Sequence, residues 1–323
     1  MVQQGLGDRS AEAPASSVFT RPHRTGGVEA RPRRAGVKVA SGLPWILPAL
    51  VLCVGLLYYC IGYTGLISTW NWDGISPNPQ HVGFRNYTQL FHDPLFWGAV
   101  RHTVVFFAVT FTIQTFLGLT FAVLLHSRIR LAVVYKVIIF IPVVLAPAIM
   151  APVFRSMLAP GGQFNQVLHD VGLGSLAQPW IGQTSTALPA LMAITIWQFT
   201  GFTFILYYAA MSQIDPSVLE AARLDGAGNL RVIRSIVWPS VAGTTYALAI
   251  LSVIGALKTF DIPWLVTQAG PDYATNFFGT YIYQQIIQLD NVGYGAALSI
   301  ILLVVAVAFG VALQLWRSRR ALQ

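Results

Sequence analysis

Long apolar runs separated by short polar segments dominate the chain. Six of these runs are long enough to cross the hydrocarbon core of a bilayer, which takes about 20 residues of helix. Their apolar character is continuous and shows no period of two, so membrane helices are expected rather than barrel strands. The pattern predicts an all-α integral membrane protein with six transmembrane helices, at Leu43–Ile67, Thr103–Leu125, Val134–Ala151, Ala187–Met211, Val241–Val266 and Gly293–Trp316.

The composition agrees with this pattern. Hydrophobic residues make up 55% of the chain and charged residues only 10%, whereas about a quarter of the residues in a soluble domain are charged. The formal net charge of +8 is concentrated in a few clusters, which favours membrane topology over nucleic acid as its explanation.

Arginine and lysine predict the orientation. Basic clusters occur before the first run, after the second and fourth runs, and at the chain end, and loops of this kind face the cytoplasm. Both termini are therefore expected in the cytoplasm, with an even number of spans. The clusters comprise Arg9, Arg21, Arg24, Arg31, Arg33, Arg34 and Lys38, then Arg128, Arg130 and Lys136, then Arg223, Arg231 and Arg234, then Arg317, Arg319 and Arg320.

Two regions follow from the same reasoning. Residues 1–42 are rich in Arg, Ala, Ser, Pro and Gly and are expected to form a disordered basic cytoplasmic tail. Anionic lipid is a candidate contact of this tail, with a simply solvated tail as the alternative. Residues 43–323 are expected to form the six-helix membrane domain.

A polar segment over residues 212–239 interrupts the apolar pattern inside this domain. Asp215 suits a helix N-cap and Pro216 the first helical position, where its missing N–H costs nothing. Gly226 provides a left-handed stop, and Pro239 ends a second amphipathic piece. The segment therefore predicts a short cytoplasmic helix with small side chains that another surface can approach closely.

This segment resembles the EAA motif of permease subunits of bacterial ATP-binding-cassette importers. Glu220, Ala221 and Ala222 are followed by three residues and Gly226, then by nine residues and Ile236, and finally by Pro239. Trp238 stands where the family usually has Leu. The surrounding Leu224, Asp225, Gly226, Ala227 and Ser240 are similar to the carbohydrate-uptake branch of the family, which includes maltose, trehalose and glycerol-phosphate-type permeases.

The resemblance implies a type I importer permease in the bacterial cytoplasmic membrane. Its coupling residues would be Glu220, Ala221, Ala222, Asp225, Gly226 and Pro239, on a helix that docks on a cytoplasmic ATPase. The implied partners are two ATPase subunits that bind ATP and Mg²⁺, a second homologous permease chain and an extracellular solute-binding protein or lipoprotein, with no cofactor held by this chain. Loops Thr69–Arg101 and Pro160–Gln183 would face that binding protein.

The fourth apolar run carries candidate pathway residues. Trp197, Gln198 and Thr200 are polar or amphipathic for their depth, and a buried amide needs a partner or an aqueous cavity. They suit a hydroxyl-rich ligand, and interhelical hydrogen bonding alone is the alternative. Lys258 and Asp261, three residues apart in the fifth run, favour a local ion pair, with gating or substrate contact as the alternative.

The third run contains Pro142, Pro147 and Pro152, each of which removes a backbone hydrogen bond, so a kink is expected. The chain has no phosphate-binding loop and no hydrolase or metalloprotease motif, which predicts a transport subunit rather than an enzyme. The expected cargo is a di- or oligosaccharide. A polyol or glycerol-phosphate importer, and an ATPase-independent carrier, are the alternatives.

Overall fold

The computed structural model describes residues 43–126 and 130–321, and the tail predicted over residues 1–42 lies outside them. In this part of the chain the fold is helical apart from one two-residue β ladder, in which β1 (Trp70–Asn71) pairs antiparallel with β2 (Gln80–His81). The first half contains the helices α1 (Leu43–Ile67), α2 (Arg85–His92), α3 (Pro94–His126), α4 (Ala132–Val144), α5 (Pro147–Met157) and α6 (Gln163–Asp170).

The second half begins with the long helix α7 (Thr184–Met211). The helices that follow are α8 (Pro216–Leu224), α9 (Asn229–Val232), α10 (Trp238–Ser240), α11 (Ala242–Leu257), α12 (Asp261–Thr267), α13 (Phe278–Tyr283) and α14 (Val292–Ala321). A 3₁₀ turn covers Gly174–Leu176, and π-helical turns cover Ile233–Val237 and Gln284–Gln288.

Four helices in the described residues, α1, α3, α7 and α14, are each long and apolar enough to cross a membrane. Two bent pairs meet the same criteria only when their two members are counted as one span. They are α4 with α5, and the segment Asn229–Ser240 with α11. The number of candidate spans is therefore four, or six if each bent pair is one span. The chain is a multi-pass helical membrane protein on this basis.

The kink predicted from the prolines of the third apolar run is confirmed. Helices α4 and α5 are bent by 95° relative to each other, and the break falls at Leu145 and Ala146, directly before Pro147 at the first position of α5. Proline lacks the N–H that would continue α4 and disfavours helical backbone at the preceding residue. The break leaves the Leu145 carbonyl free for a bond from another helix.

The continuous fifth span predicted at Val241–Val266 was wrong in its upper part. Helix α11 ends at Leu257, and α12 begins at Asp261 after three residues that are not helical. The start of α11 at Ala242 agrees with the predicted start of the span at Val241, and the segment Asn229–Ser240 precedes it at a bend of 63°. Hydropathy averaged over a whole span does not detect the break before α12, because the polar residues Lys258, Thr259 and Asp261 stand among apolar ones.

Helix α7 lies at the centre of the fold, where it packs along both α3 and α4. Two glycines allow these close approaches. A Cβ at Gly118 on α3 would lie 2.7 Å from Thr203 Cγ2 on α7, and a Cβ at Gly201 on α7 would overlap the Ile139 carbonyl oxygen on α4. Small residues at helix crossings are the usual means of close packing in membranes. The side chains that α7 presents to α3 and α4 are thus held in fixed positions.

Candidate functional site

A cavity of about 380 Å³ lies beside α7, between residues of α3, the α4–α5 break and the α11–α12 break. Its walls combine aromatic rings with amides and hydroxyl groups, which is the usual lining of a site for a small polar ligand. The aromatic members are Phe106, Phe199, Phe202 and Phe260, and the uncharged polar members are Thr110, Gln114, Thr195, Gln198, Thr203, Ser252 and Thr259.

Gln198 lines this cavity and is fixed by the broken span. Its Nε2 donates a hydrogen bond to the Leu145 carbonyl oxygen at 3.1 Å, so the kink that frees this carbonyl also orients the amide. The residue is 2% exposed, and its Oε1 has no hydrogen-bond partner. A buried acceptor without a partner costs free energy.

A second amide faces the same cavity from α3. Gln114 Nε2 donates to the Thr195 carbonyl oxygen on α7 at 3.1 Å, and the residue is buried. The sequence-based prediction did not include Gln114 or its neighbour Thr110 among the pathway residues. Their spacing of four in an otherwise apolar run places both on one face of α3, and this signal was present in the sequence.

The three pathway residues predicted on α7 do not lie together. Only Gln198 lines the cavity. Trp197 belongs to a separate apolar groove with residues of α5, where its ring meets the Phe154 ring edge to face at 5.4 Å between centroids. Thr200 is buried and donates to the Ile196 carbonyl oxygen at 2.6 Å. Neighbouring residues on a helix point about 100° apart, which separates Trp197 from Gln198.

Lys258 and Asp261 also line the cavity, from the two sides of the α11–α12 break. The local ion pair favoured by their spacing is not formed, because within residues 43–126 and 130–321 neither side chain makes a hydrogen bond or ion pair. The reason is the break itself. A spacing of three brings side chains together only on a continuous helix, and here the helix ends between them.

The segment predicted to dock on a partner folds as the local sequence indicates. Helix α8 begins at Pro216, and the Asp215 carboxylate accepts a hydrogen bond from the Ser217 backbone N–H at 2.9 Å. This bond lowers the pKa of Asp215 below its ordinary value. Gly226 has a φ of +77° and ends the turn after the helix. The helix is therefore capped at both ends by the residues that the pattern predicted.

None of the residues of α8 is buried. Glu220 and Ala221 are exposed and Ala222 is half-buried, while Asp225, Gly226 and Pro239 are exposed. Leu224 is 89% exposed and Leu230 is 79% exposed. These two leucines and the neighbouring alanines form an apolar surface that no described residue covers. Exposed apolar surfaces of this kind mark interaction sites.

The two helices that flank the polar segment, α7 and α11, are joined by a side-chain contact. The Tyr207 hydroxyl of α7 lies 3.0 Å from the Thr245 hydroxyl of α11. Met211, Val237 and Val241 are buried in the same apolar cluster as Tyr207. The polar segment therefore leaves α7 and returns to α11 at one packed cluster, and both helices line the cavity.

No group of three or more His, Cys, Asp or Glu side chains that could hold a metal ion occurs in the portion of the chain described by the structure. The cavity presents amide and hydroxyl groups, aromatic rings and the two charged side chains of Lys258 and Asp261.

A family comparison agrees with both features. Residues 114–321 match the model of the family described as "Binding-protein-dependent transport system inner membrane component". This match covers more than half of the chain, including α7, α8 and every helix that follows. The chain belongs to this family, and is a permease-type membrane component of a transport system that depends on a binding protein.

Individual relatives and a solved structure extend the comparison. The chain is 29% identical to the probable ABC transporter permease protein YurN of Bacillus subtilis, over 82% of this chain and 91% of the relative. It is 28% identical to the diacetylchitobiose uptake system permease protein NgcF of Streptomyces coelicolor, over 94% and 89%. A chain of a bacterial ABC transporter that imports the acidic polysaccharide alginate has the same fold, with a TM-score of 0.73, 22% identity and coverage of 87% and 98%.

Proposed function

We propose that this chain is a permease subunit of an ATP-driven importer that moves a di- or oligosaccharide across the bacterial cytoplasmic membrane by alternating access. The observation that carries the proposal is the capped, wholly unburied helix α8, in a polar segment that joins two helices that pack together and line the cavity. Membership of a binding-protein-dependent transport family supports it. The name of the relative that takes up diacetylchitobiose supports a saccharide.

The proposed topology has six spans with both termini in the cytoplasm. Two of the spans would be broken helices, formed from the two bent pairs. Non-helical backbone at membrane depth is tolerated where it is buried in protein or lines a cavity, and the α4–α5 break meets this condition because Val143 and Pro147, on its two sides, line the cavity. The positions of Arg and Lys support a cytoplasmic location for α8.

The proposed partners are two ATPase subunits, a second permease chain and an external solute-binding protein. ATP and Mg²⁺ would be bound by the ATPase subunits and not by this chain, which would have no catalytic site of its own. Leu224 and the small face of Ala221 and Ala222 would enter a groove on the ATPase, with Glu220 and Asp225 as charged contacts at its rim. Gly226 would set the turn and Pro239 the end of the segment.

The mechanism that we infer is a lever. Closure of the ATPase subunits on ATP would displace α8, and only four residues separate α8 from the end of α7. Because the Tyr207–Thr245 contact joins α7 to α11, both helices would move together. The cavity between α3, α7 and α11 would then open in turn to the two sides of the membrane.

Two glycines provide a matched test of this lever. Gly226 has a φ of +77°, whereas Gly228 has a φ of −68°, and a Cβ at either position would meet no atom within 4 Å. Gly226→Ala should therefore strain the turn without a clash, and Gly228→Ala should not. In proteoliposomes with the complete transporter, Gly226→Ala is expected to lower saccharide uptake per ATP hydrolysed, and Gly228→Ala is expected to leave this ratio unchanged.

Equal ratios for the two variants would contradict the lever. Uptake that persists without ATP and follows an ion gradient would instead support an ATPase-independent carrier. Uptake of glycerol phosphate or a polyol in preference to every saccharide tested would support the polyol alternative while leaving the lever intact.

A further inference from the structure

The cavity holds two charged groups without partners at the α11–α12 break. Lys258 follows the last residue of α11, and Asp261 is the first residue of α12. Both are exposed and both line the cavity. Over residues 43–126 and 130–321 they are the charged members of its lining. Ionisable residues in membrane-spanning regions are costly and tend to mark a solute path.

A second observation points to a ligand at the same place. Gln198, which also lines the cavity, is 2% exposed, and its buried Oε1 accepts no hydrogen bond. The cavity lining therefore combines a buried acceptor that has no partner with an exposed ammonium group and an exposed carboxylate that pair with no other described group. The buried acceptor costs free energy, and the two exposed charged groups are open to a ligand.

We infer that Lys258 and Asp261 together recognise neighbouring hydroxyl groups of an uncharged saccharide; this inference rests on the proposed function. A hydroxyl group donates one hydrogen bond and accepts others, whereas an ammonium group only donates and a carboxylate only accepts. Two adjacent sugar hydroxyls satisfy both charged groups at once. The phenylalanine rings of the same cavity provide apolar surface for the faces of the sugar rings.

The opposed charges argue against an acidic saccharide. A carboxylate or sulfonate on the substrate would be attracted to Lys258 but repelled by Asp261. Coulomb energies at similar distances are equal and opposite, so they cancel, and the anion would lose its hydration without compensation. Selection against a wrong ligand by a like charge is a common source of specificity.

The test uses the full chain in membrane vesicles with its partner subunits. Cys53 and Cys60 are free thiols on α1, and replacing both by Ala allows a single reporter thiol, introduced by Ser252→Cys, in the cavity wall. The reporter thiol is modified with methanethiosulfonates that carry a sulfonate, a trimethylammonium or a neutral hydroxyethyl group. Protection is then measured with diacetylchitobiose, lactose and maltotriose as neutral saccharides, and with trigalacturonate as an acidic one.

Lys258→Gln is expected to shift the ratio of modification rates towards the cationic reagent by about tenfold, and Asp261→Asn towards the anionic reagent by a similar factor. At least one neutral saccharide should protect the reporter thiol, and both variants should need about tenfold more of it. Lys136→Gln is the matched control, because Lys136 lies over the Tyr208 ring and does not line the cavity.

Three results would overturn the inference. In the first, trigalacturonate protects the reporter thiol better than every neutral saccharide, and only Lys258→Gln weakens this protection. This result would assign an acidic substrate. In the second, neutral saccharides protect the reporter thiol equally well in both variants. This result would show that Lys258 and Asp261 do not recognise the saccharide. If no saccharide protects the reporter thiol, the cavity does not bind them, whereas the proposed function is judged separately by the uptake ratio of the Gly226 and Gly228 variants.

Discussion

The Tyr294 hydroxyl donates a hydrogen bond to Asp93 Oδ2 at 2.7 Å, and this bond joins residues 201 positions apart in the chain. Asp93 directly precedes α3, and Tyr294 lies in the first turn of α14. The Tyr281 hydroxyl of α13 donates to the same oxygen, and the other carboxylate oxygen accepts from the Leu95 backbone N–H at 2.9 Å. One carboxylate therefore holds three helices at the start of α3.

Asp93→Ala should destabilise the protein more than either tyrosine variant. Tyr281 is 2% exposed and Tyr294 is 7% exposed, so removal of Asp93 leaves two buried hydroxyl groups without an acceptor, at a cost of about 1–3 kcal/mol for each. Tyr294→Phe removes only one bond to a charged group. Thermal unfolding of the purified full chain in detergent gives the melting temperatures of Asp93→Ala, Tyr281→Phe and Tyr294→Phe, and Asp93→Ala should have the lowest.

Tyr273→Phe serves as the control for this comparison, because Tyr273 is 46% exposed and its hydroxyl makes no hydrogen bond in the described structure. An Asp93→Ala variant with the melting temperature of Tyr273→Phe would show that the carboxylate does not hold these helices together.

Gly201→Ala should destabilise the crossing of α4 and α7. The added Cβ would overlap the Ile139 carbonyl oxygen and would lie 3.0 Å from two further backbone atoms, and backbone moves less easily than a side chain. Overpacking of this kind typically costs about 1–3 kcal/mol. Gly98→Ala on α3 meets no atom within 4 Å and should leave stability unchanged. Equal melting temperatures for the two variants would contradict the close approach.

Gln198→Leu should impair transport more than Trp197→Leu. The leucine keeps the volume near that of the amide but removes the bond to Leu145 and the unpaired acceptor in the cavity. Trp197 is 46% exposed and lies in the separate groove beside α5. Saccharide uptake by the reconstituted complex, corrected for the amount of folded protein, distinguishes them. A stronger effect of Trp197→Leu would place the route in that groove.

The candidate site could be read only in part from the sequence. The cap at Asp215 and the turn at Gly226 follow from local chemistry, and both are present. The grouping of Trp197 with Gln198 came from their proximity in sequence, whereas the angle between neighbouring residues on a helix separates them. The spacing of Gln114 and Thr110 already places them on one face of α3, but the bond from Gln114 to Thr195 depends on the approach of α3 to α7, which no local pattern specifies.

The fold, like the candidate site, could be predicted from the sequence only in part. The spans that became α1 and α7 were located within a few residues by hydropathy. Helix α3 starts nine residues before the predicted Thr103, since the polar side chain of His102 is buried and its Nδ1 bonds the Asn276 carbonyl oxygen at 3.0 Å. A polar residue ends an apolar run in a hydropathy scan, but a partner 174 positions away allows the helix to continue.

Leu224→Glu should weaken binding of the ATPase. Leu224 is 89% exposed on α8, and an apolar side chain that becomes fully buried at an interface contributes about 1.5–3 kcal/mol. The charged replacement should not disturb the isolated chain, because Leu224 packs on nothing that a glutamate would disrupt. Leu289→Glu is the matched control, with 57% exposure at the far end of the π-helical turn after α13. Recovery of the ATPase with the purified permease measures binding, and equal recovery for both variants would contradict docking through α8.

The cap of α8 should weaken in acid. The Ser217 backbone and side chain lower the pKa of Asp215 from its ordinary 3.8, so the folded helix favours the carboxylate. The stabilisation is fully present above the ordinary pKa and is lost as the pH falls through the lower folded value. Hydrogen exchange of α8 in the full chain should therefore speed up, after correction for intrinsic rates, below about pH 4. Asp215→Asn keeps a capping oxygen but does not titrate, so its corrected exchange should be independent of pH in this range. If the two proteins respond to acid in the same way, the carboxylate is not what holds the start of this helix.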